Sequence, residues 1–407
     1  MTDVFDFIII GGGIAGLYSA YLIKKNCKNA RFIILEANQA VGGRMGDVDF
    51  EGKSVVTGAG IGRKRKDKIL RELLEELRVP YHEYQSSHNY SDDLNCNVKD
   101  VFQSLKDRHP LYSIGKTFKE FALTCMSPTQ YELFVTCAGY TDYEKEDSYD
   151  TFYHYGFSDN YSNFIGLSIP WKKLLTALVK KIGGKNIATS TRVEEIEMVS
   201  EIYHIKTSKK TFCSHKIILA TTIESLRHLL PYPIYKQICG QPFLRVYGKC
   251  SSGDIDIMKK VVNRYTIVQG PLQKMIPIEP DNGIYMIAYS DNECAKTLRP
   301  YLKNNKKNRT YFEGLIKDAL NVDIHLLSIM SVYWDIGTHY YRPLRKFDRR
   351  EDFIKKAQRP EKNIRVVGEM VSLSQGWVEG ALVSVKKVMK KGWMNCIFTK
   401  RSVFTQT

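Results

Sequence analysis

Gly11, Gly13 and Gly16 stand in the spacing G-x-G-x-x-G directly after the apolar run Val4 to Ile10. That run is rich in branched residues and too short to span a membrane, so it reads as a buried parallel strand. Glycines so spaced suit the binding of a pyrophosphate. Gly11 permits a tight turn, Gly13 lets backbone approach the phosphates, and Gly16 lets a helix pack closely on the strand. The helix opens at Ile14 and Ala15 and has Leu17, Tyr18, Tyr21 and Leu22 at its apolar positions. Its free N–H groups and positive dipole end would face the phosphates. A second buried strand, Arg31 to Leu35, ends at Glu36, twenty residues after Gly16, with Ala37 beside it. A carboxylate there can accept from a ribose hydroxyl, and the whole unit is a βαβ site for a dinucleotide.

Gly42-Gly43-Arg44 comes soon after Glu36. Its glycines allow close backbone approach, and its arginine can fork onto phosphate oxygens. The stretch from Val4 to Arg44 resembles the FAD site of the flavin-containing amine oxidases, the family of monoamine and polyamine oxidases. The resemblance implies an α/β protein in which a Rossmann-like FAD-binding domain is interleaved with a second, α+β substrate domain built on a mixed sheet. FAD-binding segments are expected at 1–80, 164–240 and 336–407, the last with a basic tail, and substrate segments at 81–163 and 241–335.

Further segments carry the same resemblance. Gly58, Ala59 and Gly60, in VVTGAGIG, match the place where the amine oxidases pass backbone beside the flavin. Ile169-Pro170-Trp171 resembles the return to the FAD domain, Val193 matches a valine set against the adenine, and Ala220 ends a strand that leads back to the cofactor. Near the far end, Gly368-Glu369 resembles the pair placed by the pyrophosphate and ribityl chain. Gly376-Trp377-Val378-Glu379-Gly380-Ala381 resembles the segment that brings a helix N-terminus to the flavin ring. By this likeness Trp377 would be an aromatic wall flanking a substrate amine, which suits an amine nitrogen and excludes water.

The pattern departs from the family in QPFLRVYGKC, Gln241 to Cys250. The family usually has a lysine there, linked through water to flavin N5. Arg245 is the match, and Lys249 is the alternative if the alignment slips by four. Arginine keeps its charge and donates in a fixed fork, so it is no copy of lysine. His339, in YWDIGTHYYRP, reads first as a packed, hydrogen-bonded histidine.

The implied activity is hydride removal from the carbon beside an amine nitrogen, imine hydrolysis, and reoxidation of the flavin by O2 with release of peroxide. The partners would be a small-molecule amine and O2. Two alternatives stay open: a related enzyme acting on an amino acid or desaturation substrate, and a flavoprotein without catalysis that binds or builds. Members of the family that tether FAD do so through a cysteine shortly before the C-terminal Gly-Glu. Ile336 to Val367 has none, so the FAD is expected to be non-covalent.

The remaining elements must hold these residues in place. Helices are expected over Asp67 to Arg78, Tyr112 to Met126, Pro128 to Ala138 and around Asn305 to Asn321. Strands are expected over Thr191 to Val199, Ile202 to Thr207, Lys216 to Ala220, Ile284 to Tyr289, Leu327 to Trp334 and Ile364 to Val367. The acidic DYEKEDSYD, Asp142 to Asp150, reads as a solvated loop, since charge runs usually face water.

The chain has 407 residues, enough for two domains sharing a cofactor. It contains no apolar run long enough for a membrane span, and its start lacks the basic region of a signal peptide. Its nine cysteines show no CxxC and no Cys/His cluster at metal spacing, so no metal is expected. They suggest a reducing, cytoplasmic setting with mostly buried thiols. The net charge of +16 is spread along the chain with few interleaved aromatics. It suits a solvated surface, is compatible with packaging beside a polyanion, and predicts no sequence-specific nucleic-acid partner. Oligomeric state has no signature in the sequence.

Overall fold

The structure, a computed structural model, describes residues 4–394 except 92, 93, 95, 158–163 and 345. Two sheets organise it. The first has the strand order Val193–Val199, Ile202–Thr207, Thr211–Leu219, Val4–Ile10, Phe32–Leu35, Ile187–Ala188. Val4–Ile10 is central and runs parallel to both neighbours, with Ile10 opposite Leu219 on one side and Leu35 on the other. Thr211–Leu219 changes partner along its length. Its first half pairs antiparallel with Ile202–Thr207, and its last residues pair parallel with Ile364–Val366.

Both faces of this sheet are covered, which is why Val4–Ile10 is an unbroken apolar run. Phe7 and Ile9 join a core with the helices Ile14–Asn26, Trp171–Ile182 and Val378–Val388. Ile8 and Ile10 point the other way, into a core with Ile223–Leu229 and Arg350–Ala357.

The second sheet is mixed, in the order Leu326–Tyr341, Ile238–Cys250, Ile284–Asp291, Lys274–Glu279, Tyr265–Ile267, His88–Tyr90. Its strands are antiparallel except for the last pair. Asn292–Leu298 and Lys306–Leu320 contribute to the core on one side. A separate helical cluster, Val98–Arg108, Phe118–Cys125, Pro128–Ala138 and Ser148–Tyr153, packs around Phe102, Phe118, Phe134 and Phe157. No helix among the described residues is long and apolar enough to cross a membrane.

Four expectations need correction. The helix expected between Tyr112 and Met126 fills only Phe118–Cys125 of that stretch, because Thr117 and Glu120 form a capping box: Glu120 N–H donates to Thr117 Oγ1 at 3.2 Å and Thr117 N–H to Glu120 at 2.8 Å. The strand predicted to end at Trp334 continues to Tyr341; there Gly337 leaves no room for a side chain, since a Cβ would lie 2.5 Å from Phe243 Cβ. The acidic stretch is not a solvated loop. Asp142, Glu146, Asp147 and Asp150 are all buried, and Arg350 holds Asp147 at 3.4 Å and Asp150 at 2.6 Å. Nor are the thiols all free: Cys96 and Cys137 form a disulfide that joins the helical cluster across 41 positions.

Candidate functional site

The glycine loop is built as its spacing demands. Gly11 has φ +103°, and a Cβ there would meet Ala220 O at 2.5 Å; a Cβ on Gly16 would meet Gly11 O at 2.0 Å. Gly11, Gly16 and Ala220 are therefore one close backbone junction, and Ala220 N–H donates to Ile10 O at 2.8 Å. Gly13 is different. Nothing lies within 4 Å of where its Cβ would be, so its open side faces space that a ligand can fill. Gly13 also caps the helix from Ile14 with no side-chain hydrogen bond and no acid in the first turn, leaving the N–H groups around Ile14 and Ala15 without a competing carboxylate.

Glu36 is buried, with Gly12 N–H donating to Oε2 at 2.6 Å and Asn38 N–H to Oε1 at 2.8 Å. The carboxylate thus anchors the glycine loop while keeping lone pairs for a ribose hydroxyl. Ala37 beside it is exposed. The backbone of Thr191 donates to Glu36 O at 2.8 Å, which brings the half-buried Val193 to the same end of the sheet.

The later segments converge on this loop. Gly42 N–H donates to Gly12 O at 2.9 Å, and Gly43, at φ +57°, lies against Gly13. Ala59 N–H donates to Arg44 O at 2.8 Å, and Gly58 has no space for a Cβ beside that carbonyl. Arg44 is anchored through one guanidinium nitrogen. Its Nη1 donates at 2.8 Å to both Glu369 Oε1 and Gly337 O. Glu369 also binds His339 Nδ1 through Oε1 and accepts Gly376 N–H at 3.1 Å through Oε2. Burial alone would raise the Glu369 carboxyl, but His339 and Arg44 hold it down at about 2. His339 Nε2 accepts Ile223 N–H at 3.2 Å, so Nδ1 carries the proton and donates to Glu369. Burial pushes the imidazole below its ordinary value against the pull of Glu369. His339 is therefore the packed, hydrogen-bonded residue the sequence suggested.

At the C-terminal helix, Trp377 is the N-cap, Val378 begins the first turn, and Ala381 is buried beside the helix from Ile14. Glu379 caps a different helix, accepting from Ile69 N at 2.9 Å and Leu70 N at 2.8 Å. The Trp377 ring is covered by Arg63, whose Cζ lies 3.7 Å from the centroid and whose guanidinium is held by Asp67.

The second sheet meets this assembly through the turn after Val55. Tyr247 Oη donates to Val56 O at 2.6 Å, and Trp334 Nε1 to Thr57 O at 2.7 Å. Arg245 is buried in the same strand as Tyr247, and its Nη2 would lie 3.2 Å from a Cβ on Gly60. Lys249, the alternative, pairs with Glu51 at 3.5 Å on the surface. The structure thus presents Arg245, not Lys249, to the Gly58–Gly60 turn.

Around Arg245 stand residues that the sequence did not single out. Its guanidinium lies over the Tyr289 ring at 4.7 Å. The Lys274 ammonium lies 4.6 Å from the same ring and 3.1 Å from that of Tyr140, and it donates to Gly139 O. Burial lowers Lys274 to about 7 despite Asp291 and Asp142 nearby, while burial beside Asp291 raises Asp142 to about 7. Asp291 takes Thr141 N–H at 2.9 Å and Gln273 Nε2 at 3.1 Å. The available signal was a lysine opening the otherwise mostly apolar strand KMIPIE, which polar surface strands rarely resemble.

Residues 9–77 match the NAD(P)-binding Rossmann-like domain family. Over nearly its whole length the chain shares its fold with several solved oxidases. Putrescine oxidase, solved with putrescine bound, superposes with a TM-score of 0.74 at 14% identity, covering 95% of this chain and 98% of that one. Cyclohexylamine oxidase from Brevibacterium oxydans gives 0.74, 14%, 95% and 98%. A protoporphyrinogen oxidase-like protein from an Exiguobacterium species gives 0.69, 14%, 95% and 98%. At such identities the likeness establishes the fold.

Proposed function

We infer that the chain is an FAD-dependent oxidoreductase that oxidises a carbon–nitrogen bond of an amine. One observation carries the reading. The glycine loop, Gly42-Gly43 and the strand end at Ala220 meet at one helix N-terminus, and one side of Gly13 there is open. The pyrophosphate would lie on Gly13, Ile14, Ala15 and Gly43, the ribose at Glu36, and the ring system between Gly60, Arg245 and the start of the Trp377 helix. The FAD is non-covalent. When bound, it would accept a hydride from the carbon beside nitrogen and be reoxidised by O2 to give hydrogen peroxide, while water hydrolyses the released imine.

This chain's residues supply placement and exclusion of water. The Gly58–Gly60 turn gives a floor with no side chain larger than the Ala59 methyl, Tyr289 and Tyr140 give aromatic walls, and Arg245 gives a fixed cation beside the turn. Similarity of fold to putrescine oxidase and cyclohexylamine oxidase supports an amine as the substrate class. Purified protein should be yellow, release FAD on denaturation and produce peroxide with some member of an amine and amino-acid panel. Colourless protein that fails to take up FAD removes the reading, and a flavoprotein silent on the whole panel leaves the cofactor assignment and removes the activity.

A second reading, a substrate other than a plain alkylamine, is favoured by one observation. The aromatic faces that would receive an amine cation are already covered by protein cations: Trp377 by Arg63, Tyr289 by Arg245 and Lys274, and Tyr140 by Lys274.

A further inference from the structure

We propose that Arg245 receives a carboxylate of the substrate, so that the amine oxidised here carries an acid group, as an amino acid or N-substituted amino acid does. The proposal rests on the oxidoreductase reading above and narrows its substrate class.

Arg245 is 6% exposed, and its Nη1 is buried with no protein acceptor. No carboxylate among the described residues forms an ion pair with it, whereas buried Arg63 is paired with Asp67 and buried Arg350 with Asp147 and Asp150. A guanidinium does not shed its proton in a protein, so burial cannot neutralise it. An ion taken out of water without a partner costs several kcal/mol, and the arrangement is balanced once an anion arrives.

The neighbours cannot supply that anion. Burial pushes the Tyr247 phenol up to about 12 and Tyr140 well above its ordinary value, so both stay neutral. Tyr289 gives the guanidinium a ring face and a side-chain hydrogen bond, and neither is a carboxylate. Asp142 and Asp291 sit around Lys274 instead. The guanidinium also lies against Gly60, where the missing side chain keeps the approach to the flavin ring clear. A planar carboxylate matches the fork of an arginine. A plain alkylammonium at the same place would meet the fixed like charge of Arg245.

The test uses the FAD-loaded protein and two probes of one shape, benzoate and benzylamine, titrated while the flavin absorbance spectrum is recorded. The expected result is a saturable perturbation by benzoate, weakened at least roughly thirtyfold in Arg245→Met with FAD content intact. Arg245→Lys should recover part of the affinity, since it restores charge without the fork. Perturbation by benzylamine but not benzoate in the wild type overturns the proposal, as does unchanged benzoate affinity in Arg245→Met. If Arg245 serves only the flavin, Arg245→Met and Arg245→Lys will lose FAD and the wild type will ignore benzoate, which also overturns it. Protein that holds no FAD is recognised from its spectrum before any titration, and that result defeats the underlying reading instead.

Discussion

Arg44 donates to Glu369 at 2.8 Å across 325 positions of sequence, joining the Gly42-Gly43-Arg44 segment to the strand end nearest the C-terminus. Glu369 is the centre of this junction, because His339 and the backbone of Gly376 bond the same carboxylate. The folded carboxyl titrates at about 2 against an ordinary 4.5, so between these values the folded state binds fewer protons than the unfolded one. Its contribution, up to about 3 kcal/mol, is complete above about pH 4.5 and is lost as pH falls toward 2. Glu369→Gln should lower stability at neutral pH and flatten the fall in denaturation midpoint across that acid window. A variant whose acid profile overlays the wild type would show that the junction is not the acid-sensitive element.

In the proposed site Gly13 and Glu36 would contribute to FAD binding in different ways. Gly13→Val places a branched side chain on the one open side of the loop, and FAD affinity should fall by well over tenfold. Glu36→Ala removes the ribose acceptor and also releases Gly12 and Asn38 N–H, for a loss of roughly tenfold. Equilibrium dialysis of FAD against both variants checks the order of the two effects.

Acid precipitation should leave the flavin colour in the supernatant, since no cysteine lies between Ile336 and Val367 to hold it. Colour retained by the pellet through denaturing electrophoresis would contradict a non-covalent cofactor.

Arg350 is buried between Asp147 and Asp150. Arg350→Met leaves two carboxyls without their cation and should cost about 3–5 kcal/mol in chemical denaturation. The effect should be nearly absent if those acids were solvated.

What the sequence disclosed and what it hid follow from the range of the physics involved. The needs of Gly11, Gly16 and Gly58 are local, set by backbone within a few ångströms, and the glycine itself records them. Arg245 was legible because it departs from a pattern at a known place on one strand. The burial of Asp147 was not legible, since its partner Arg350 lies 203 positions away and a run of acids looks the same whether it meets water or a guanidinium. Lys274 was missed for the same reason: its neighbours Tyr140 and Tyr289 come from other segments, and nothing around position 274 announces them. The Cys96–Cys137 bridge likewise depends on a loop residue and a helix residue that only the fold brings together.

The pairing of Ile217–Leu219 with Ile364–Val366 has a consequence for synthesis of the chain. A ribosome delivers the glycine loop first and the strand that completes its sheet last, with the whole mixed sheet emerging between them. Contacts so remote in sequence form slowly. Until Glu369 and Glu379 emerge, Arg44 lacks its carboxylate and the helix Lys68–Glu76 lacks its cap. The proposed cofactor cradle is therefore incomplete until residues 364–379 have been made, and flavin can lock the fold only after that.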